Sequence, residues 1–363
     1  MKIRSENRKA QRSIAGRLTG AVLIPSVVLL VMWLAVSAYL LYDGFYARAV
    51  ASSVRQVSIP AVNGLASAQR ERQLSMAYLG QPSVGLDGLH AQEKQTDDGL
   101  AAMKIAATAT LGNAPQAIVN GFNAVNGYLN QLPGIRAQVD ARTIGVNQVY
   151  TFYNSLLDSA TNLFDTQARI VPDVNAAQGG IEATSLFRAT DEESRASSLI
   201  STALVTGNLS AQDHLAFVSL VGAYHGELGK TVSFLEPDVA SAYQQLQTTS
   251  AWQNLVTVEN GFIERGAWSH GGSALPSTAG DWETLTNQVA AQLTKLSKQQ
   301  ADEVSAQALS NGNSTFVGVA VGSLIALLAA IAAIVVARRV SRTLVDRTLV
   351  TRLARLRDEA LEL

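Results

Sequence analysis

The sequence of 363 residues contains no cysteine, which excludes disulfide frameworks, cysteine-ligated zinc, iron–sulfur clusters and thiol catalysis. Charged residues are also few: they make up 16% of the chain, against roughly 25% in an ordinary soluble domain. Apolar residues make up 47%, and the net charge is −1, which argues against a nucleic-acid binder. Few charges combined with ample apolar content exclude a disordered chain and indicate membrane segments.

Two long runs without charge predict transmembrane helices. Residues 18–42 form an uncharged run of 25 residues, and residues 316–337 form a second run of 22 residues. A helix of about 20 apolar residues crosses the hydrocarbon core of a membrane. The alternative for the first run is a cleaved secretory signal, for which Ala47-Arg48-Ala49 offers a late site. The apolar stretch of such signals is usually about 7–15 residues long, so the length favours an uncleaved anchor.

The charges are divided unevenly by these two runs. Residues 1–17 and 338–363 together carry thirteen positive and five negative groups, a net charge of +8. The segment 43–315 carries fifteen positive and twenty-four negative groups, a net charge of −9. Because positive flanks stay on the cytoplasmic side, we predict two cytoplasmic ends and an extracytoplasmic segment 43–315.

The segment between the spans is predicted to be all-α. It has no sustained alternation of β-branched or aromatic residues with polar ones, which is the pattern typical of strands. About seven to nine helices are expected, and long helices joined by short turns pack as up-and-down bundles. Breaks are predicted at residues 80–88, Pro133-Gly134, Pro172, Gly207-Asn208, Pro237 and residues 265–280, with a kink at Pro60, an N-cap at Ser210 and a last helix that begins near Asp281.

Sequence motifs for catalysis are absent. There are four histidines, and no HExxH, P-loop or GxSxG pattern occurs. His214 and His225 are eleven residues apart, about 16 Å along a helix, so they cannot share one metal ion. We therefore predict no catalytic residue, no cofactor and no metal site in this chain. Whether the chain is the sensor half of an enzyme stays open.

One arginine is predicted to face the helical core. Leu65, Ala68, Arg72, Met76 and Leu79 fall on one stripe of a helix with 3.6 residues per turn. A core-facing arginine must be paired, because an isolated buried charge is very unfavourable. An internal salt bridge is the more common reason for such a residue, and an anion-binding site is the alternative. Arg70, two positions earlier, lies roughly 200° around the helix.

A second helix also carries arginines. Arg188 and Arg195 are seven residues apart, on one helical face, and Arg195 borders an apolar stripe. Guanidinium groups suit planar oxyanions such as nitrate or carboxylates, because their N–H groups bind two oxygens at once. In a segment of net charge −9, inward-turned arginines form a specific local arrangement. The candidate ligand-binding residues are therefore Arg72, Arg195, Arg70 and Arg188.

The second span contains two glycines spaced for close helix packing. Gly318 and Gly322 form a small-xxx-small motif, which lets two backbones approach closely. The motif predicts a transmembrane dimer contact and hence a homodimer. The alternative is that small residues are simply common in membrane helices.

Two segments resemble signatures of the nitrate- and nitrite-sensing domain family. Residues 69–79 (QRERQLSMAYL) resemble the family's first signature helix, and Ala189 to Ala196 resembles a later signature. The likeness covers most of residues 55–295. It implies an all-α domain of two packed four-helix bundles, with arginines from two helices binding the anion between them. By position, Arg72 and Arg195 match these arginines, whereas Gln73 stands where the family usually has glycine.

The resemblance also implies a cellular role. Family members occur in bacterial receptors with two spans in the cell membrane, coupled to histidine kinases or chemotaxis modules. The tail 338–363 resembles the start of a HAMP linker helix, and no phosphoacceptor or ATP-binding segment follows the second span in this sequence. The chain is thus expected to be a two-pass receptor for nitrate or nitrite, with a response regulator as partner only if a kinase module is present. The alternatives are a ligand-free dimerisation module and a receptor for another anion or a protein.

Overall fold

The structure is a computed structural model that describes residues 2–81, 85–112, 114–171, 173–270 and 274–344. In this part of the chain the regular elements are helices, and one isolated antiparallel bridge joins Leu209 to Trp268. The all-α prediction is therefore confirmed. The helices are α1 (Lys2–Ser53), α2 (Ile59–Gly80), α3 (Leu86–Leu111), α4 (Gln116–Asp140), α5 (Val146–Arg169), α6 (Val174–Thr206), α7 (Ala211–Thr231), α8 (Pro237–Gln247), α9 (Ser250–Arg265) and α10 (Ala279–Leu344).

The chain divides into two compact units, of which the first comprises Met1–Phe45 and Asn311–Leu363. Two helical segments, Ile24–Gly80 and Ala279–Val336, contain apolar stretches long enough to cross a membrane. Side chains in these stretches are almost all exposed, among them Leu29 and Leu328. Exposed apolar surface of this extent is what lipid covers in a transmembrane helix.

Within the first unit, the two apolar helices contact each other at one of the small residues of the second span. A Cβ added to Gly322 would lie 2.8 Å from the Trp33 ring, so the glycine makes room for this side chain. The Trp33 indole donates a hydrogen bond to Ser323 Oγ at 3.3 Å. A Cβ at Gly318 would meet open space. The dimer contact through Gly318 and Gly322 stays a prediction.

In the second unit, Tyr46–Ser310, we distinguish a first group of helices, α2 to α5, from a second group, α6 to α9 with the first part of α10. Helices α2, α3, α4 and α5 contact one another in the first group, and α6 packs against α2 and α5 as well as α7. Helix α10 joins the second group, because its Trp282 indole donates to the Ser197 carbonyl of α6 at 3.2 Å and packs on Phe262 of α9. The core is built from fully buried side chains of both groups, among them Leu65, Tyr153, Phe187, Tyr224 and Trp282.

Local signals explain several helix ends. Ser210 caps α7 by accepting a hydrogen bond from the Asp213 amide at 3.0 Å, as predicted. Gly207 ends α6 with φ of +68°, a left-handed conformation that favours glycine. A π-helical turn over Val54–Ser58 directly precedes α2, whose first turn contains Pro60, and the kink at Pro60 stays a prediction.

The predicted break at Pro133-Gly134 is wrong, because α4 continues through both residues to Asp140. Pro133 lies on the exposed side of the helix, where water can satisfy the carbonyl group that proline leaves without a donor. Leu132 and Val139 are buried on the other side and hold the helix against the core. The chain instead turns before Gln116 and after Asp140. Most of the HAMP-like tail, residues 345–363, lies outside the described residues.

Candidate functional site

Three helices of the second unit meet around one buried guanidinium group. Arg72 lies on α2 between Ala68 and Met76, on the stripe that faces the core. Its side chain is 0% exposed, in agreement with the helical projection. Helix α5 supplies Asn154 and helix α6 supplies Asp191 as contacts of this guanidinium. The site therefore lies where the first group of helices packs against the second.

Arg72 uses several of its N–H groups within the protein. Its Nη1 lies 3.1 Å from Asp191 Oδ1 and donates to Asn154 Oδ1 at 2.6 Å. Its Nη2 donates to Ser194 Oγ at 3.0 Å, whereas the buried Nε has no partner. Burial lowers the pKa of Arg72 from its ordinary value, and the charge of Asp191 opposes that shift. The guanidinium thus keeps one unused donor in the interior, next to Nη2.

Arg195 contacts the same carboxylate from the other side. Its Nε donates to Asp191 Oδ2 at 2.7 Å, and its Nη2 donates to Asp158 Oδ1 of α5 at 2.6 Å. Burial by itself lowers the pKa of Arg195, but the charges of Asp191 and Asp158 raise it above the ordinary value. Gln69 Nε2 adds a hydrogen bond to Asp191 Oδ1 at 3.3 Å. Asp191 consequently lies between Arg72 and Arg195 and links them.

A polar cavity borders this cluster. Its volume is about 470 Å³, and residues of α2, α3, α6 and α10 line it. Gln69 and Ser194 belong to its wall and also contact Asp191 and Arg72, respectively. Three cationic side chains line it as well, namely Arg70, Lys295 and Lys298. Arg72 Nη2 thus contacts a residue of the cavity wall, and three positive groups line the same cavity.

The other two predicted arginines lie outside the contacts of Asp191. Arg70 forms an ion pair with Glu283 of α10, and its Nη1 donates to Gln73 Oε1 at 2.6 Å. Arg188 lies 4.0 Å from Asp165 of α5 and is 39% exposed. Arg72 and Arg195 are thus brought together, Arg70 lines the adjacent cavity, and Arg188 faces a different partner.

A second buried carboxyl group lies in the cavity wall. Glu193 is 1% exposed; its Oε1 accepts a hydrogen bond from Ser197 Oγ at 2.8 Å, and its Oε2 is buried without a partner. Burial raises the pKa of Glu193 to about 8, and the charge of Glu259 acts in the same direction. At neutral pH, Glu193 is therefore mainly a neutral carboxylic acid.

Several site residues were missed by the reasoning from sequence. Asp191, Asn154 and Ser194 all contact Arg72, and the Arg72 guanidinium also lies 5.9 Å from the ring centroid of Tyr150. Asp191 could have been found from its spacing, because it lies four residues before Arg195 on the same helix. Asn154 and Tyr150 carry no such signal, since their role depends on how α5 packs against α2.

Metal binding has no support in the described part of the chain, where no group of three or more histidine, aspartate or glutamate side chains is arranged to hold an ion. What the site offers instead is a set of hydrogen-bond donors. A buried guanidinium with an unused N–H, hydroxyl and amide groups, and a neutral carboxylic acid are suited to a small anion.

The fold is an all-helical domain, and the site is a buried cluster of arginine and aspartate side chains next to a cavity. A family model for nitrate and nitrite sensing matches residues 65–305, which cover most of α2, all of α3 to α9 and the first part of α10. The chain belongs to this nitrate and nitrite sensing family. Its fold is similar to that in the structure of the NasR transcription antiterminator, with a TM-score of 0.62 and 14% identity over 91% of this chain and 87% of that one. No curated protein matches the chain by sequence.

Proposed function

We propose that this chain binds nitrate or nitrite at the Nε and Nη2 edge of Arg72 and signals across a membrane. The observation that carries the proposal is the fully buried guanidinium whose Nε has no partner and whose Nη2 contacts a residue of the cavity wall. This edge presents two parallel N–H groups, which match two oxygens of a planar oxyanion. Family membership supports the same class of ligand.

The charges around the site favour one added anion. Arg72 and Arg195 carry two positive charges, and Asp191 between them carries one negative charge. Asp158, the second carboxylate that Arg195 contacts, is 60% exposed, so water screens its charge. A small anion at Arg72 would therefore complete the charge balance of the buried part. Arg195 acts in this scheme through Asp191, which it holds in place for Arg72.

Arg70 and the lysines of the cavity serve a different purpose in the proposal. Arg70, Lys295 and Lys298 line the space through which an anion reaches Arg72. In a segment of net charge −9, such a local positive wall raises the concentration of small anions at the entrance. Arg188 contacts Asp165 and has no part in this site.

The transmembrane part of the proposal rests on the apolar helices that flank the sensing domain. Helix α10 contributes several residues to the cavity wall and also contains the apolar stretch that ends near Val336. A shift of α10 against α6 on anion binding would be passed along this helix to the cytoplasmic side. We propose cytoplasmic termini, an extracytoplasmic domain, a homodimer and an output module, such as a histidine kinase, joined through the HAMP-like segment 338–363.

The experiment measures anion binding by calorimetry with the full chain in lipid nanodiscs. We expect nitrate or nitrite to bind and Arg72→Met to abolish binding, because the variant removes both donors of the proposed edge. Arg169→Met is the matched control, since Arg169 is 63% exposed on α5 and pairs with Asp165. Unchanged binding by Arg72→Met would refute the site.

A ligand-free structural module is the second candidate, and one observation favours it. Arg72 already has an internal carboxylate partner in Asp191, as a purely structural arginine would. This candidate predicts that no anion in a panel of nitrate, nitrite, chloride, formate and acetate raises the melting temperature of the chain. A shift with formate or acetate alone would instead indicate a receptor for another anion.

A further inference from the structure

Glu193 is an acidic residue in the wall of a cavity that we assign to an anion. It lines the polar cavity together with its neighbour Ser194, whose hydroxyl accepts from Arg72 Nη2. Its Oε2 is buried and has no hydrogen-bond partner, so one carboxyl oxygen is left without a group to bind. An unsatisfied buried oxygen is unfavourable unless a ligand or a proton occupies it.

The groups around Glu193 come from four helices. Arg72 on α2 favours its ionised form, whereas Asp191 on α6 and Glu259 on α9 disfavour it. Tyr224 on α7 also lies within electrostatic range and donates to Glu259 Oε1 at 2.5 Å. Full burial and the two negative neighbours outweigh the hydrogen bond from Ser197 and the charge of Arg72, so the pKa of Glu193 is raised.

The two buried glutamates differ in their hydrogen bonds. Glu259 has a partner for each oxygen, since Tyr224 donates to Oε1 and His225 Nε2 lies 3.0 Å from Oε2. Glu193 has Ser197 as a partner for Oε1 and none for Oε2. A carboxylate needs several donors to remain charged in the interior, and Glu193 has a single one. A proton on its Oε2 removes the buried charge and turns that oxygen into a donor.

We propose that Glu193, as a neutral carboxylic acid, donates a hydrogen bond to the oxyanion that Arg72 holds, so that the anion and one proton are bound together. This inference rests on the proposed function and adds a ligand contact and a proton to it. An ionised Glu193 would place two like charges side by side in the interior and would repel the anion. The neutral acid instead offers an O–H donor from Oε2.

Proton-linked binding has a definite dependence on pH. Below the pKa of Glu193 the acid is already protonated, and the affinity for the anion does not change with pH. Above that pKa the free protein must take up a proton in order to bind, so the affinity falls by about tenfold per pH unit. Glutamine at this position is a permanent neutral donor and removes the dependence.

The test is calorimetric titration of the full chain in lipid nanodiscs with sodium nitrate between pH 6 and pH 10. We expect the wild-type affinity to be constant at low pH and to fall above about pH 8. Near pH 9, the binding enthalpies measured in buffers of different ionisation enthalpy should show that close to one proton is taken up for each nitrate bound. Glu193→Gln should bind nitrate with no proton uptake and with little change in affinity over the same range. Glu264→Gln, an exposed position on α9, is the matched control and should behave like the wild type.

The outcomes separate this inference from the function on which it rests. If nitrate binds in a manner that requires Arg72 but Glu193→Gln retains the wild-type pH dependence, the role of Glu193 is refuted and the site stands. A wild-type affinity for nitrate that stays constant up to pH 10 would also refute the role of Glu193 and leave the site in place. Absence of nitrate binding at every pH overturns both proposals. Because Glu193→Gln preserves size and neutrality, its thermal melt at pH 6 should match that of the wild type.

Discussion

The two ends of the buried ion pair between Arg72 and Asp191 should contribute unequally to stability. Asp191 contacts Arg195 as well as Arg72 and accepts a further hydrogen bond from Gln69. Arg72 has Asp191 as its carboxylate partner, and Asn154 is a neutral one. Removal of Arg72 therefore leaves a carboxylate that is still paired. Removal of the Asp191 charge leaves a buried guanidinium with neutral partners alone.

The magnitudes follow from this difference. Breaking a buried pair so that one charge is left uncompensated destabilises a protein by about 3–5 kcal/mol. Arg72 is 0% and Asp191 4% exposed in their side chains, so solvent does not reduce this value appreciably. Because asparagine retains one acceptor, we expect Asp191→Asn to lower the free energy of unfolding by about 3 kcal/mol. Arg72→Met keeps most of the buried volume and should cost about 1 kcal/mol or less.

The assay is urea unfolding of the full chain in lipid nanodiscs, in buffer without nitrate or nitrite. The fluorescence of the buried residues Trp252 and Trp282 reports the transition. Asp158→Asn serves as a control, because this carboxylate is 60% exposed and its loss should change stability by less than about 1 kcal/mol. The reasoning is refuted if Arg72→Met is destabilised as much as Asp191→Asn, since the shared carboxylate would then have no protective effect.

Three further predictions concern other parts of the chain. Burial raises the pKa of Glu193 from 4.5 to about 8, so between these pH values the folded state holds a proton that the unfolded state has lost. The free energy of unfolding should therefore fall by about 1.4 kcal/mol per pH unit in this range, and urea unfolding curves of Glu193→Gln should show a smaller fall. Gly64→Ala places a methyl group 2.8 Å from the α3 backbone and should lower stability by about 1–3 kcal/mol in urea melts, whereas Gly127→Ala, in open space on α4, should not. Gly322→Leu meets the Trp33 ring and should reduce disulfide cross-linking between cysteines introduced in the two apolar helices, whereas the same change at Gly318 should leave this cross-linking unchanged.

Helical periodicity explains which site feature was predictable from sequence. The burial of Arg72 follows from its place on an apolar stripe, because side chains three and four residues apart share one face of a helix. The cap at Ser210 is equally local, since its hydroxyl accepts from an amide three residues away. The continuation of α4 through Pro133 was not predictable in this way. It depends on the buried contacts of Leu132 and Val139 with other helices.

The partners of the arginines were decided by packing between helices. Sequence spacing relates Asp191 to Arg195, which are four residues apart, but it says nothing about Arg72, which is more than a hundred residues away. Only the contact of α2 with α6 brings these two guanidinium groups to one carboxylate. Glu193 is a similar case, because its unpartnered oxygen results from the helices that surround it.

The sequence by itself determined the helical class of this protein, its two long apolar stretches, the uneven division of charge around them and the inward direction of Arg72. These properties depend on composition and on a repeat of 3.6 residues, which act within single segments. The tertiary structure decided that Asp191 joins Arg72 to Arg195, that a polar cavity borders them and that Glu193 is buried in its wall. Contacts and desolvation between distant segments arise only when helices pack, so the chemistry of the site belongs to the fold.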